Sequence, residues 1–130
     1  MSFDIYVCRF ENGEPALLDM NAAHEVLDPH VVARDPGLHF LQVSTGTGEM
    51  ADVYFSSPTN ITFNRFGGEG VMDLLAGLLL RLDAVLIVPG GTVVLQREED
   101  EELLPAPLKE GCTTVVARTG AEITEVIRAA

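Results

Sequence analysis

The residue types with the most chemical capacity fall in one short run, His24-Glu25-Val26-Leu27-Asp28-Pro29-His30. Imidazoles and carboxylates ligate metals and carry protons, and a helical spacing of four puts His24 and Asp28 on one face. His30 could fold back towards them. The run is not His-Glu-x-x-His, because Asp28 stands where the second histidine is required. A zinc site needs three or four convergent ligands, and the remaining histidine, His39, is expected on a strand. The run therefore reads first as a solvated helix end, with His24, Asp28 and His30 as its metal-ligand alternative. No metal or other cofactor is expected.

Other chemistry has less behind it. Gly67-Gly68-Glu69-Gly70 opens a helix, as phosphate cradles do, but it lacks the Gly-Lys-Ser/Thr ending and the dinucleotide glycine spacing. Glu69 would also put negative charge where a phosphate should sit. The loop reads as a turn into a buried helix, and Ser44-Thr45-Gly46-Thr47-Gly48 as a hairpin connection. Neither Cys8 nor Cys112 has an adjacent histidine, and no serine stands in a Gly-x-Ser-x-Gly turn. Both cysteines read as buried thiols on separate strands. Carboxylates are too abundant for the sequence to nominate a catalytic pair, so no catalytic residue is assigned.

Glu98-Glu99-Asp100-Glu101-Glu102 is the densest charge in the chain. Such a run repels itself and is ordinarily a solvated face. Its functional reading is a steering patch for a basic protein partner, with all five carboxylates as candidate contacts.

The elements that must position these residues centre on residues 61–88. Ile61 to Phe66 reads as a strand, and Ala84 to Val88 as another. Between them Glu69, Asp73, Gly77 and Arg81 recur at steps of four, one narrow polar stripe on an otherwise apolar helix. A helix apolar on nearly all sides must be covered on several. The acidic start and the basic end suit the helix dipole. Gly77 is either a close packing point or part of a solvated stripe.

Before this unit, a strand is expected from Phe3 to Phe10, a loop at Glu11-Asn12-Gly13-Glu14-Pro15, and a helix capped by Asp19 or Asn21 that ends at Asp28-Pro29. Asp35-Pro36-Gly37 is a turn, followed by strands from Leu38 to Val43 and Ala51 to Phe55. After it, Pro89-Gly90-Gly91-Thr92 joins a hairpin. Arg97 to Leu104 is an acidic segment, helical in its reading and stopped by Pro105 and Pro107. Thr113 to Arg118 is a strand, and Thr119 with Glu122 fits a capping box for a C-terminal helix. Strands arrive in hairpin-like groups, which favours an α+β fold. The expectation is a mostly antiparallel sheet in a single domain over residues 1–130, a buried central helix at about 71–82 on one face, and a C-terminal helix.

Composition bounds the function. With 20 acidic against 8 basic residues the net charge is −12, and the basic residues are scattered singly. Nucleic acids and anionic membranes call for basic clusters, so neither is expected as a partner. No apolar run is long enough to cross a bilayer, and Asp4 and Arg9 interrupt the first apolar stretch as no leader would allow. The cytoplasm is the default compartment. An apolar fraction of 47% excludes disorder and leaves room for homodimerisation through surplus apolar surface.

Met1-Ser2-Phe3-Asp4-Ile5-Tyr6-Val7, with Phe10-Glu11-Asn12-Gly13-Glu14-Pro15 behind it, resembles the opening of a group of small, uncharacterised actinobacterial proteins. Val88-Pro89-Gly90-Gly91 and Gly120-Ala121-Glu122-Ile123 extend the resemblance over most of the chain. These motifs are structural and imply no catalytic residue. Some similar small acidic proteins are immunity partners of toxins, which implies an inhibitor of a cationic partner. Two function classes therefore stand. One is a non-enzymatic protein-contact module; the other is a small-molecule or metal-dependent site near His24, His30 and the glycine-rich 67–70 turn.

Overall fold

The order of the strands shows what holds the chain together. In a computed structural model, which describes residues 4–129, one mixed sheet runs β3-β4-β5-β6-β1-β7-β8-β9, with β2 paired to β1 alone. The strands are β1 (Ile5–Glu11), β2 (Glu14–Ala16), β3 (Val31–Asp35), β4 (Phe40–Gly46), β5 (Glu49–Ser57), β6 (Asn60–Gly67), β7 (Val85–Val88), β8 (Thr92–Leu95) and β9 (Thr113–Val116). The helices are α1 (Met20–Leu27), α2 (Glu69–Leu82), α3 (Ala106–Gly111) and α4 (Gly120–Ala129). Every pairing is antiparallel except β8 with β9. The fold is α+β, as the hairpin-like grouping implies. Phe3, where the first strand is expected to begin, lies outside the described residues.

Alternation along the strands divides the sheet into two faces. Val7, Val43, Val53, Phe63 and Leu86 point to an inner face and are buried under α2, which is flanked by α1 and α4. On α2, Val71, Leu75, Leu78 and Leu79 are completely buried. Burying each such leucine contributes roughly 1.5–3 kcal/mol before its entropic cost. Glu69, Asp73, Gly77 and Arg81 are the solvent stripe, and a Cβ on Gly77 would meet nothing within 4 Å. Gly77 is therefore a solvated position. Close packing occurs instead at Gly120, where a Cβ would lie 2.6 Å from the Asp73 backbone nitrogen.

The outer face changes character along its length. At the β7–β9 end Val85, Val93 and Leu95 pack under Leu104, with Phe10 and Leu108 alongside. Residues 98–111 cover this end. Glu98–Leu103 forms a 3-10 helix rather than an α-helix, and Pro107 lies in the first turn of α3, where its missing N–H costs nothing. Pro107 thus starts a helix that the sequence reading did not include. From β4 to β1 the same face has no such cover among the described residues. It carries Gln42, Asp52, Tyr54, Thr62 and Asn64, joined by side-chain bonds from Gln42 to Asp52 (3.1 Å), between Ser56 and Thr62 (2.8 Å), and from Asn64 to Asp4.

The punctuation is local chemistry. Asn12 and Gly13 both take positive φ, the requirement of a type I′ turn, so the expected loop is a tight β1–β2 hairpin. At the α4 start, Glu122 N–H donates to Thr119 Oγ1 (3.1 Å) and Thr119 N–H to Glu122 Oε1 (3.2 Å), a complete capping box. The Arg118 N–H donates to the same carboxylate, and these bonds hold the Glu122 carboxyl below its ordinary range. Cys8 and Cys112 are both free; burial pushes the Cys8 thiol up to about 11, which removes it as a nucleophile at neutral pH. Among the described residues, no helix is long and apolar enough to cross a membrane.

Candidate functional site

At the β3–β5 edge of the sheet, on the side that carries α1, three elements meet around a cleft of about 590 Å³. The first is α1, whose start is fixed by Asp19 accepting the Ala22 N–H (3.0 Å). Helix α1 gives way at Asp28 to a short 3-10 turn, with Pro29 in its first turn. This places His24, one turn from the helix end, at the cleft wall. The second element is β3, an edge strand whose register sets Arg34 opposite Leu41. The third is the turn from Pro36 to His39. There Asp35 Oδ1 accepts the Gly37 N–H (3.1 Å), and His39 takes the left-handed conformation at φ 52°. The Phe55 N–H donates to the His39 carbonyl (2.9 Å) and ties the turn to β5. His39 therefore lies in a turn, and the strand expected from Leu38 begins after it, at Phe40.

The side chains around this cleft are connected. His24 stacks on Phe55 with ring centroids 4.8 Å apart. Asp28 Oδ1 lies 3.4 Å from His24 Nδ1 and accepts from Arg34 Nη2 at 3.2 Å, so one carboxylate orients both nitrogen bases. Desolvation pushes the Asp28 carboxyl up, but hydrogen bonds and charge from Arg34 and His24 together more than offset it, leaving a net lowering. Met20, Phe40, Leu41 and Pro58 supply apolar walls, and Ser56 and Ser57 part of the rim.

The helix spacing that pairs His24 with Asp28 is thus present, and Asp28 pairs with Arg34 as well. Among the described residues, no three His, Cys, Asp or Glu side chains converge as a metal site requires. His30 lies on the 3-10 turn and does not line the cleft, and neither does any residue of the 67–70 turn. That turn is occupied by the chain itself. Glu49 Oε1 accepts from the Gly70 N–H (3.2 Å) and from Thr45 Oγ1 (2.7 Å), so a carboxylate of β5 caps α2 where a phosphate would have to bind. Arg34, His39 and Phe55 were not nominated from sequence. Their convergence depends on the β3–β4 register and on a left-handed histidine, neither of which leaves a spacing signal.

The acidic run lies at the other end of the sheet, on the segment that covers it. With three residues per 3-10 turn, Glu98 and Glu101 share one edge, Glu99 and Glu102 a second, and Asp100 faces inward. Asp100 is 7% exposed and accepts from Arg97 Nε (3.3 Å); Arg97 also pairs with Asp83. A partner would therefore reach four of the five carboxylates. These four border one shallow depression together with Lys109.

Protein-family models, curated proteins and solved structures give no match to this chain.

Proposed function

We propose that this protein is a non-enzymatic contact module that presents the acidic ridge of Glu98, Glu99, Glu101 and Glu102 to a basic protein partner. An immunity-type inhibitor of a cationic protein is one form of such a module. The observation behind this reading is the exposure of four carboxylates on two adjacent edges of one short helix, in a chain of net charge −12. Like charges stacked at that spacing repel one another, and a cationic surface would relieve the repulsion. Individual exposed pairs contribute only about 0.2–1 kcal/mol, so the ridge acts mainly on the association rate and its salt dependence.

The test uses immobilised protein, a lysate of the source organism, and a variant with all four ridge glutamates changed to glutamine. A basic protein should be retained by the parent at low ionic strength, released by salt, and lost with the variant. Empty capture by the parent, or the same captured proteins with both, would contradict the reading.

The cleft favours a second reading, a small-molecule site, because it places Arg34, His24 and His39 around apolar walls. The two readings share no residue and lie at opposite ends of the sheet.

A further inference from the structure

The cleft beside α1 differs in charge from the rest of the molecule. The chain has 20 acidic residues, yet among the described residues no carboxylate lines this cleft, and Arg34, His24 and His39 do. Asp28 stands behind them and uses one of the five N–H donors of the Arg34 guanidinium. Together Arg34 and Asp28 sum to zero charge, so the guanidinium offers directed donors without a strong positive field. That arrangement suits a singly charged group able to accept two parallel N–H bonds, which describes a carboxylate better than a phosphate dianion. A cation would find no carboxylate among the described residues that line the cleft to pair with.

The remaining walls select the body of the ligand. The rings of Phe55 and His24 stack face to face, with interplanar angle 21°, and together with Phe40 and Leu41 they give the cleft an aromatic and aliphatic wall that suits an aromatic body. A volume of about 590 Å³ lies within the range of roughly 300–1,000 Å³ usual for small-molecule sites. His39 makes no side-chain hydrogen bond or ion pair among the described residues, so its ring is free to donate or accept at the rim.

We infer that this cleft binds a small organic monoanion with a flat apolar body, of the aromatic monocarboxylate class. The inference rests on the small-molecule reading of the cleft and does not depend on the acidic ridge. Its test compares 2-naphthoate with its neutral isostere 2-naphthamide, each titrated into the full chain and followed by amide and histidine-ring chemical shifts. Naphthoate should give saturable shifts at His24, Arg34, His39 and Phe55, and naphthamide should bind about tenfold more weakly, the loss of one charge-assisted hydrogen bond at a half-exposed site.

Arg34→Gln should abolish the preference for the acid. His39→Asn tolerates the same left-handed backbone; it should weaken naphthoate binding severalfold and decides the matter if Arg34→Gln fails to fold. Equal affinity of the two compounds would overturn the anion class while leaving a small-molecule site in place. Shifts centred away from the cleft, or none that saturate at millimolar concentration, would overturn both.

Discussion

The outer face of the sheet has two ends, and the chain treats them differently. Over β7, β8 and β9 it points Val85, Val93 and Leu95 outwards and spends residues 98–111 covering them. Over β4, β5, β6 and β1 it points Asp52, Tyr54, Thr62 and Asn64 outwards, and no helix among the described residues covers them. Apolar side chains on a strand demand a lid, whereas polar ones can do without it: Asp52 and Thr62, only 7% and 8% exposed, are satisfied by hydrogen bonds to Gln42 and Ser56. The difference teaches where to look for function. At the covered end only the outer surface of the lid is accessible, and that surface is the acidic ridge. At the open end the outer face itself is accessible, and the cleft lies at the same β3–β5 edge on the α1 side of the sheet.

The contrast can be probed from both sides. Leu104 is the lid residue most enclosed by the outer face, 1% exposed, and Leu104→Ala should cost about 2–5 kcal/mol in denaturant unfolding. A smaller cost would mean that the lid is loosely held. The lid is also pinned to the β1–β2 hairpin, since the Gly13 N–H donates to the Leu103 carbonyl (3.1 Å). Gly13 has φ 79°, so Gly13→Ala strains the backbone by about 1–2 kcal/mol, and hydrogen exchange should show residues 98–104 opening more readily.

At the open end, acid should loosen the cleft. The Asp28 carboxyl is held low, so its ties to Arg34 and His24 contribute fully above the ordinary carboxylate range and are lost as pH falls through the lowered value. The melting temperature of Asp28→Asn should accordingly fall less on the acid side than that of the parent. Parallel acid limbs would show that the tie contributes nothing.

What could be read from the sequence follows from how locally each feature is encoded. Helix α2 was legible because Glu69, Asp73, Gly77 and Arg81 mark its solvent stripe at every fourth residue, and α4 because Thr119 and Glu122 cap it reciprocally. The expected hairpin at Pro89-Gly90-Gly91 joins β7 to β8. Strand β3 was illegible for the opposite reason: Val32 to Asp35 are all exposed, so no alternation marks them. Helix α3 was hidden by Pro107, which reads equally as a stop or as a first-turn residue.

The candidate site divides in the same way. The pairing of His24 with Asp28 follows from helical spacing, and the acidic ridge from composition. The inward turn of Asp100 requires knowing that the segment is a 3-10 helix. Arg34 and His39 reach the cleft only through strand register and a left-handed turn, and Glu49 reaches Gly70 across 21 residues of sequence.

The difference between the two ends is tested most directly by the unfolding free energies of Leu104→Ala and Tyr54→Ala, measured side by side in denaturant at several protein concentrations. Tyr54 lies on the open face, 37% exposed and paired with Phe40 (ring centroids 5.0 Å), and its loss should cost about 1 kcal/mol, independent of concentration, against at least about 2 kcal/mol for Leu104. A Tyr54→Ala cost equal to that of Leu104→Ala would show the open face to be packed, and one that grows with protein concentration would show it packed against a second copy of the chain; either would contradict the account.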